Sequence, residues 1–275
     1  MIDLHSHTLP ALCDGAPDLK TALAMARMAV DDGITHLACT PHIYPGLYEN
    51  SVQTIAPALT QLQTHLDLEG IPLKLIIGAD THMVPEVMHG LKSGRIPTLN
   101  QSRYFLLEPS HHVPVSDFLG QIENYLNAGY VPLITHPERL HWISDHYNDF
   151  IKAAQMGAWI QITAGAITGN FGRAAKKYAE QFLQDGYVHI IATDAHGIDR
   201  RPPILSEGVA AAASIIGNQE AMHCVTTRPQ AVLNNDIPQD VILPPALNKN
   251  SLVPSVQSVK VTPKAKNLFQ RWFGH

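Results

Sequence analysis

Short apolar runs rich in β-branched residues alternate along the chain with longer segments of helical periodicity. This alternation is typical of repeated βα units built around a parallel sheet. Seven runs predict strands, at residues 1–5, 35–40, 73–78, 104–107, 131–135, 159–163 and 189–193. The segments between them predict helices at residues 19–32, 51–68, 116–128, 145–156, 173–184 and 204–216, with a further helix near 219–225. The pattern therefore predicts the α/β fold class.

The chain beyond Asn235 lacks this pattern and turns to Pro, Asn, Ser and Val without periodicity. We therefore expect one domain at residues 1–234 and a poorly ordered C-terminal extension at residues 235–275. The end of the extension could form a short amphipathic piece that docks on a partner or a membrane surface, although a frayed terminus is the plainer interpretation. Its candidate docking residues are Lys264, Lys266, Phe269, Arg271, Trp272 and Phe273.

Composition narrows the class of protein. With 275 residues, 45% of them apolar and 16% charged, the chain is an ordinary globular protein, and its formal net charge of -5 provides no basic stripe for nucleic acid. The cysteines Cys13, Cys39 and Cys224 form no CxxC pair, which indicates a reducing compartment. We find neither a signal peptide nor an apolar run of transmembrane length. These features predict a cytoplasmic enzyme or binding protein.

Side chains that can bind metal follow nearly every predicted strand. The carboxyl ends of parallel barrel strands meet at one mouth, so side chains distant in sequence would lie close together there. The candidates are His5, His7 and Asp14 after the first strand, His42 after the second, Asp80 after the third, Glu108 after the fourth, His136 after the fifth, and Asp194 and His196 after the seventh. Their convergence predicts a metal centre.

Two pairs of candidates alternate along an extended chain, so the two side chains of each pair point to the same side and can bind one ion. The pairs are His5 with His7, and Asp194 with His196. Each pair is weak evidence alone, because a structural histidine is the commoner role. Imidazole and carboxylate without thiolate suit Mn²⁺, Fe or Zn²⁺ and argue against a closed structural zinc site. Ions bridged by carboxylates about 3.5 to 4 Å apart suit attack on phosphorus, with a bridging hydroxide as the nucleophile.

Two arginines lie on loops after the fifth and seventh strands. Arg139 in THPERL and Arg201 in DRRPP carry guanidinium forks that match phosphate oxygens, although both could be surface residues and Arg200 is an alternative to Arg201. Signatures of other chemistries are absent: no cysteine is followed by five residues and then Arg, and GxSxG, GxxxxGK[ST] and GxGxxG do not occur.

The remaining histidines are interpreted as structural or surface residues. His82 and His112 are the first exceptions to consider, because they lie near candidate ligands in sequence. The others include His36, His65, His89, His111, His141, His146, His189 and His223.

Six motifs in fixed order, IDLHSH, TPH, GAD, LLE, THPER and TDAH, resemble those of the PHP (polymerase and histidinol phosphatase) superfamily. The segments ACTPHIYPGLYEN, THPERL and RRPP resemble more closely the capsular-polysaccharide tyrosine phosphatases of the CpsB and YwqE type. The resemblance covers residues 1–234. It implies a distorted (β/α)7 TIM-like barrel of the PHP type and a trinuclear site. By position, the three ions would be held by His5, His7, Asp80 and Asp194, by Asp80, Glu108 and His136, and by Asp14, His42 and His196.

The resemblance also implies that Arg139 and Arg201 bind the phosphate and that the substrate is the tyrosine-phosphorylated tail of a membrane-associated autokinase. We therefore expect a cytoplasmic enzyme that its partner could recruit to the inner face of the membrane, with two or three divalent ions, Mn²⁺ being favoured over Fe or Zn²⁺. Two positions depart from the family pattern. Asp80 stands where Glu is usual, and Leu140 replaces an aromatic residue.

The leading hypothesis is a metal-dependent protein-tyrosine phosphatase in which metal-bound hydroxide attacks phosphotyrosine. Phenolate, with a pKa near 10, leaves readily, so a strong general acid is dispensable. If one exists, Asp194 or a metal-bound water is the candidate. The alternatives are a small-molecule phosphatase of the histidinol-phosphate type and a non-catalytic PHP scaffold that binds a kinase complex.

Overall fold

A computed structural model describes residues 1–248, so the candidate docking residues between 264 and 273 lie outside the described part. The strands are β1 (Ile2–Ser6), β2 (His36–Cys39), β3 (His42–Ile43), β4 (Lys74–Ile77), β5 (Asp80–His82), β6 (Tyr104–Glu108), β7 (Val131–Thr135), β8 (Trp159–Thr163) and β9 (Ile190–Ala192). The helices are α1 (Leu19–Asp31), α2 (Val52–Leu68), α3 (Val87–Lys92), α4 (Phe118–Asn127), α5 (Ile143–Met156), α6 (Ala164–Thr168), α7 (Gly172–Gln184), α8 (Ser206–Ile216), α9 (Asn218–His223) and α10 (Thr227–Asn234).

The strands form a distorted barrel with seven positions. Every strand pair is parallel, in the orders β1-β2-β4 and β3-β5-β6-β7-β8-β9. The predicted strands at residues 35–40 and 73–78 correspond to β2 and β4, and after a short break each is followed by a further strand that was not predicted, β3 or β5. Pairing continues across the breaks, because the backbone N–H of Gly78 donates to Cys39 and that of Asp80 donates to Pro41, both at 3.2 Å. The barrel fold expected from the resemblance is confirmed.

The first strand is joined to the chain that follows the last strand. Ser6 forms an isolated parallel bridge with Ala195. The backbone N–H of Asp194 donates to the carbonyl of His5 at 2.9 Å, and the N–H of His7 donates to Ala195 at 2.8 Å. These bonds hold the HSH segment against the segment that contains Asp194, at the carboxyl ends of the strands.

Side chains that alternate along the strands fill two separate cores. In β7, Val131 and Leu133 pack inside the barrel, whereas Ile134 packs in the cluster between strands and helices. Val232 of α10 and Leu99 complete the inner cluster at the end of the barrel opposite the strands' carboxyl ends. Burial on both faces explains why the strands are continuous apolar runs.

Local signals explain some of the helix ends. Asp18 caps α1 by accepting a hydrogen bond from the backbone N–H of Thr21 at 2.7 Å, and Ser51 and Thr54 form a capping box at the start of α2. Gly157, with φ of 120°, ends α5. The predicted helix near 219–225 is present as α9. The helices α3, α6 and α10 were not predicted, because five to eight residues are too few to show a period.

The chain after α10 packs back on the barrel as far as residue 248. The hydroxyl of Tyr104 donates to the carbonyl of Asp236 at 2.9 Å, and Nε of the buried Arg228 donates to Ile242 at 2.7 Å. Within the described residues, no helix has the length and apolar character that crossing a membrane requires.

Candidate metal centre

The structure brings all nine sequence-predicted metal ligands together at the carboxyl ends of the strands. All except Asp14 are largely buried, and Asp14 reaches the centre from the loop between β1 and α1 with its side chain 49% exposed. The others lie within or directly after strands: His5 and His7 at β1, His42 on β3, Asp80 on β5, Glu108 on β6, His136 after β7, and Asp194 and His196 after β9. Parallel strand ends thus supply one cluster from residues distant in sequence.

Two buried carboxylates occupy the middle of the cluster. Asp194 Oδ1 lies 3.3 Å from Nε2 of both His5 and His7. Asp80 Oδ2 lies 3.4 Å from His5 Nε2 and 3.2 Å from His42 Nδ1. Each of these carboxylates therefore lies between two imidazoles, where the three side chains could hold a cation together.

The two sides of the centre are formed by the other ligands. Asp14 Oδ1 lies 3.5 Å from His42 Nε2 and 3.4 Å from His196 Nε2. On the opposite side, His136 Nε2 lies 3.7 Å from Glu108 Oε1. Hydrogen bonds orient some of these rings, since His5 Nδ1 lies 2.9 Å from Gln161 Oε1 and Nε2 is left to face the centre.

Five overlapping groups have their ligand atoms within 4.8 Å of one another. They are His7, Asp14, His42 and His196; His5, His7 and Asp80; His5, His136 and Asp194; His42, His82 and Glu108; and Glu108, His111 and His136. The first group contains the full set that the resemblance implied for one ion. The other two implied sets are divided among the remaining groups.

Buried carboxylate oxygens without hydrogen-bond partners indicate whether this centre suits cations. Asp80 is fully buried, yet neither of its carboxylate oxygens has a hydrogen-bond partner among the described residues. The same holds for Oε2 of the buried Glu108. A buried carboxylate without donors is costly unless a cation compensates it. The donor set therefore fits divalent ions.

The ionisation of the imidazoles leads to the same conclusion. Burial alone would lower the pKa of His5, but the charges of Asp194 and Asp80 outweigh it and raise that pKa to about 9. Despite burial, Asp80 and Glu108 likewise raise the pKa of His42 to about 12. Without metal, protons on these two rings offset the carboxylates, and bound ions would displace them. Burial holds the pKa of His136 well below its usual range, so its ring is neutral.

Both predicted arginines reach this centre. One guanidinium N–H of Arg139 and one of Arg201 donate to Asp194 Oδ2. Arg200, the sequence alternative, is exposed. Although burial opposes ionisation of Asp194, the charges of His5, Arg201 and Arg139 hold its pKa well below the usual range. An ionised carboxylate suits a metal ligand and does not suit the proton-donor role that the sequence left open.

Three of these residues adopt left-handed backbone conformations, which are unusual for residues other than glycine. The φ angles are 36° at His136, 51° at Asp194 and 57° at Arg201. Such conformations cost about 1 to 3 kcal/mol each and persist where the surrounding structure imposes them. Their concentration at this mouth is typical of a functional site.

Several side chains of the centre were not among the predicted ligands. The ring of Phe171, from the loop between α6 and α7, lies 4.4 Å from the Arg139 guanidinium carbon and 5.7 Å from that of Arg201. His111 Nε2 lies 3.1 Å from Glu108 Oε1, and His82 belongs to a candidate metal group. Of the two exceptions considered, His112 pairs instead with His141 at 3.2 Å.

A signal for His82 was present in the sequence. Asp80 and His82 alternate on β5 just as His5 and His7 alternate on β1. No comparable signal marks Phe171, which lies on a loop that only the tertiary structure places over the arginines.

Comparison with known proteins identifies the family. The model of the family described as capsular polysaccharide synthesis, CpsB/CapC, matches residues 1–234. The chain belongs to the CpsB/CapC family. The resemblance inferred from the sequence motifs is therefore confirmed. Two relatives illustrate the range of similarity within this family, and both are named tyrosine-protein phosphatases.

The tyrosine-protein phosphatase YwqE of Bacillus subtilis is 36% identical over 203 residues, which cover 73% of this chain and 79% of the relative. The tyrosine-protein phosphatase CpsB of Streptococcus agalactiae is 26% identical over 240 residues, which cover 86% of this chain and 99% of the relative.

Solved structures agree. A chain from the crystal structures of YwqE from Bacillus subtilis and CpsB from Streptococcus pneumoniae, described as unique metal-dependent tyrosine phosphatases, superposes with a TM-score of 0.83 at 30% identity. The match covers 86% of this chain and 96% of the other. A protein from Acinetobacter baumannii described as a probable 2-pyrone-4,6-dicarboxylic acid hydrolase shares the fold alone, at 15% identity and a TM-score of 0.51 over 85% of this chain and 98% of that one.

Proposed function

We propose that this protein is a protein-tyrosine phosphatase that uses two or three divalent metal ions, with Mn²⁺ as the favoured ion. The observation that carries the proposal is the convergence of the nine candidate ligands and of Arg139 and Arg201 at one mouth. The names of the relatives, tyrosine-protein phosphatases, support the same substrate class.

The candidate ligands define what the chain would contribute to the metal ions. His5, His7, Asp80 and Asp194 would hold one ion, Asp80, Glu108 and His136 a second, and Asp14, His42 and His196 a third. Bound divalent ions supply Lewis acidity and lower the pKa of a bound water. Imidazole and carboxylate oxygen favour Mn²⁺, Fe or Zn²⁺.

The arginines would bind and orient the phosphoryl group. A guanidinium has five N–H donors, and each of these arginines donates one of them to Asp194. Nε of Arg201 has no hydrogen-bond partner among the described residues, so it can donate to a phosphate oxygen. The fork geometry of Arg139 and Arg201 suits the two-point binding of phosphate.

A cleft beside Arg139 could receive the tyrosine ring. Its volume is about 620 Å³, and its walls include Phe171, Leu140, Tyr178 and His111. Aromatic and aliphatic walls next to guanidinium N–H groups match a phenyl ring that carries a phosphate. Because phenolate has a pKa near 10, it departs without a strong proton donor. The ionised Asp194 is consistent with this requirement.

The physiological substrate that we propose is the tyrosine-phosphorylated tail of a membrane-associated autokinase. The family description, capsular polysaccharide synthesis, supports a role beside such a kinase. An enzyme without a membrane-crossing helix among its described residues would meet this substrate at the inner face of the membrane, where the kinase would recruit it.

Substitution of His136 by Ala tests the proposal. The variant should lose turnover of p-nitrophenyl phosphate in added Mn²⁺, because a neutral, buried imidazole at the centre is removed. The matched control is His89→Ala, which removes an exposed histidine from α3 and should keep full turnover. Circular dichroism of both variants reports whether the fold is retained. Near-normal turnover of His136→Ala would refute the assignment.

A comparison of substrates separates the alternatives. Rates on a phosphotyrosine peptide should exceed those on histidinol phosphate. The reverse order would favour a small-molecule phosphatase. A metal-loaded protein that is inactive on every phosphoester would favour a non-catalytic scaffold.

A further inference from the structure

One histidine of the centre stands outside the nine predicted ligands. His82 is the last residue of β5 and alternates with Asp80, so both side chains project from the same face of the strand. Its side chain is only 16% exposed and lies beside Glu108 at the edge of the centre. The imidazole of His82 is therefore close enough to the centre to take part in metal binding.

The atoms around Glu108 Oε2 converge without forming hydrogen bonds. His82 Nε2 lies 2.5 Å from this oxygen and His42 Nδ1 lies 3.3 Å from it, yet Oε2 has no hydrogen-bond partner among the described residues. The three ligand atoms lie within 4.8 Å of one another. Ligand atoms that approach one point without donating to one another are arranged for a cation.

The other oxygen of Glu108 provides a contrast within the same residue. His111 Nε2 lies 3.1 Å from Oε1 with the geometry of a hydrogen bond. His111 therefore orients the carboxylate, as partners of metal ligands commonly do. His82 makes no such bond. The two histidines that flank Glu108 therefore differ in geometry and in role.

A neighbouring loop holds the His82 ring in place. The Tyr44 ring stacks on it with a centroid distance of 4.0 Å and an interplanar angle of 11°. Backbone hydrogen bonds in both directions between Tyr44 and Tyr48, at 2.9 and 2.8 Å, fix the loop, and Tyr48 stacks on His42. Two rings of the same cluster are thus oriented by one turn, as preorganised ligands require.

We propose that His82 is a metal ligand that joins Glu108 and His136 in holding the second ion of the proposed function, with His42 Nδ1 facing the same point. Asp80, which the proposed function places on the same ion, belongs to a different group of ligand atoms, so His82 supplies beside Glu108 the donor that Asp80 does not. The inference deepens the proposed function and rests on it for the presence of metal at the centre. It adds a tenth ligand position to the nine expected from the sequence.

Nuclear magnetic resonance on the full chain tests the bond directly. Protein labelled with ¹⁵N-histidine and loaded with ¹¹³Cd²⁺ should show a one-bond coupling between cadmium and Nε2 of His82, and the coupling should vanish with ¹¹²Cd²⁺. The signal is assigned by its loss in His82→Gln. A His82 signal without coupling, while other histidines of the centre show it, would overturn the inference and leave the metal centre intact. The absence of coupling at every histidine would overturn both.

Calorimetric titration with Cd²⁺ alone provides a second measurement that does not depend on activity. His82→Gln should raise the Kd of one ion at least about tenfold. The control is His112→Gln, because that exposed histidine pairs with His141 and belongs to no ligand group of the described residues. Equal Kd values for the wild type and His82→Gln would contradict the proposal. The circular dichroism of the metal-free variants verifies folding.

Discussion

Phe171 should hold the two arginines in their working orientation. Its ring lies 4.4 Å from the Arg139 guanidinium carbon and 5.7 Å from that of Arg201. The side chains of both arginines are largely buried at the mouth of the barrel. A cation–π contact is worth about 0.5 to 2 kcal/mol, and we assign about 1 to 2 to Arg139 and about 0.5 to the more distant Arg201. The replacement Phe171→Leu should therefore remove about 1.5 to 2.5 kcal/mol of orienting energy.

In kinetic terms the expected loss is about 10- to 70-fold in kcat/KM, since about 1.4 kcal/mol corresponds to a factor of ten. The assay is steady-state hydrolysis of p-nitrophenyl phosphate with Mn²⁺ present. Phe171→Tyr keeps the ring and should stay near wild type. Metal content, measured by elemental analysis, should be equal in all variants, because Phe171 contacts the arginines and belongs to no ligand group.

A double-mutant comparison isolates the mechanism. In an Arg139→Ala background, Phe171→Leu should cost only the share of Arg201, about twofold. If Phe171→Leu reduces kcat/KM by the same factor with and without Arg139, the ring does not act through that arginine and the reasoning fails.

Three further predictions concern the metal centre. Removal of metal by a chelator should lower the Tm, and Mn²⁺ at about 100 times its Kd should restore about 2.7 kcal/mol for each site, as measured by thermal unfolding. In the metal-free protein the pKa of His5 is raised from 6.5 to about 9, so its contribution to stability is complete below pH 6.5 and is lost as the pH rises through about 9. Denaturant unfolding from pH 6 to 10 checks the sign, because the wild type should lose more stability over this range than His5→Gln does; an equal pH dependence in the two proteins would contradict the prediction. Gly15→Ala should displace the loop that carries Asp14, because a Cβ atom there would clash with the carbonyl oxygen of His7; elemental analysis should then find less than the wild-type metal content.

Much of the fold follows from short-range pattern. The strand runs are apolar because both of their faces are buried, and glycines with positive φ, such as Gly157 and Gly186, follow the ends of helices. The splitting of strands at Gly78 was not predictable. A Cβ atom at Gly78 would lie 2.8 Å from a side-chain carbon of Leu99, a residue distant in sequence, so the requirement for glycine there exists only in the folded chain.

The sequence by itself determined which side chains would gather, because parallel strands place their carboxyl ends at one mouth and nearly every strand end carries a residue such as His5, Asp80 or His136. Only the tertiary structure decided how these side chains divide into groups and which neighbours join them. His82, His111 and Phe171 belong to the centre through distances to residues on other strands and loops. Periodicity reports the direction of a side chain relative to its own strand or helix. It contains no information on the angles and distances between elements, and these decide whether a histidine meets a carboxylate or solvent.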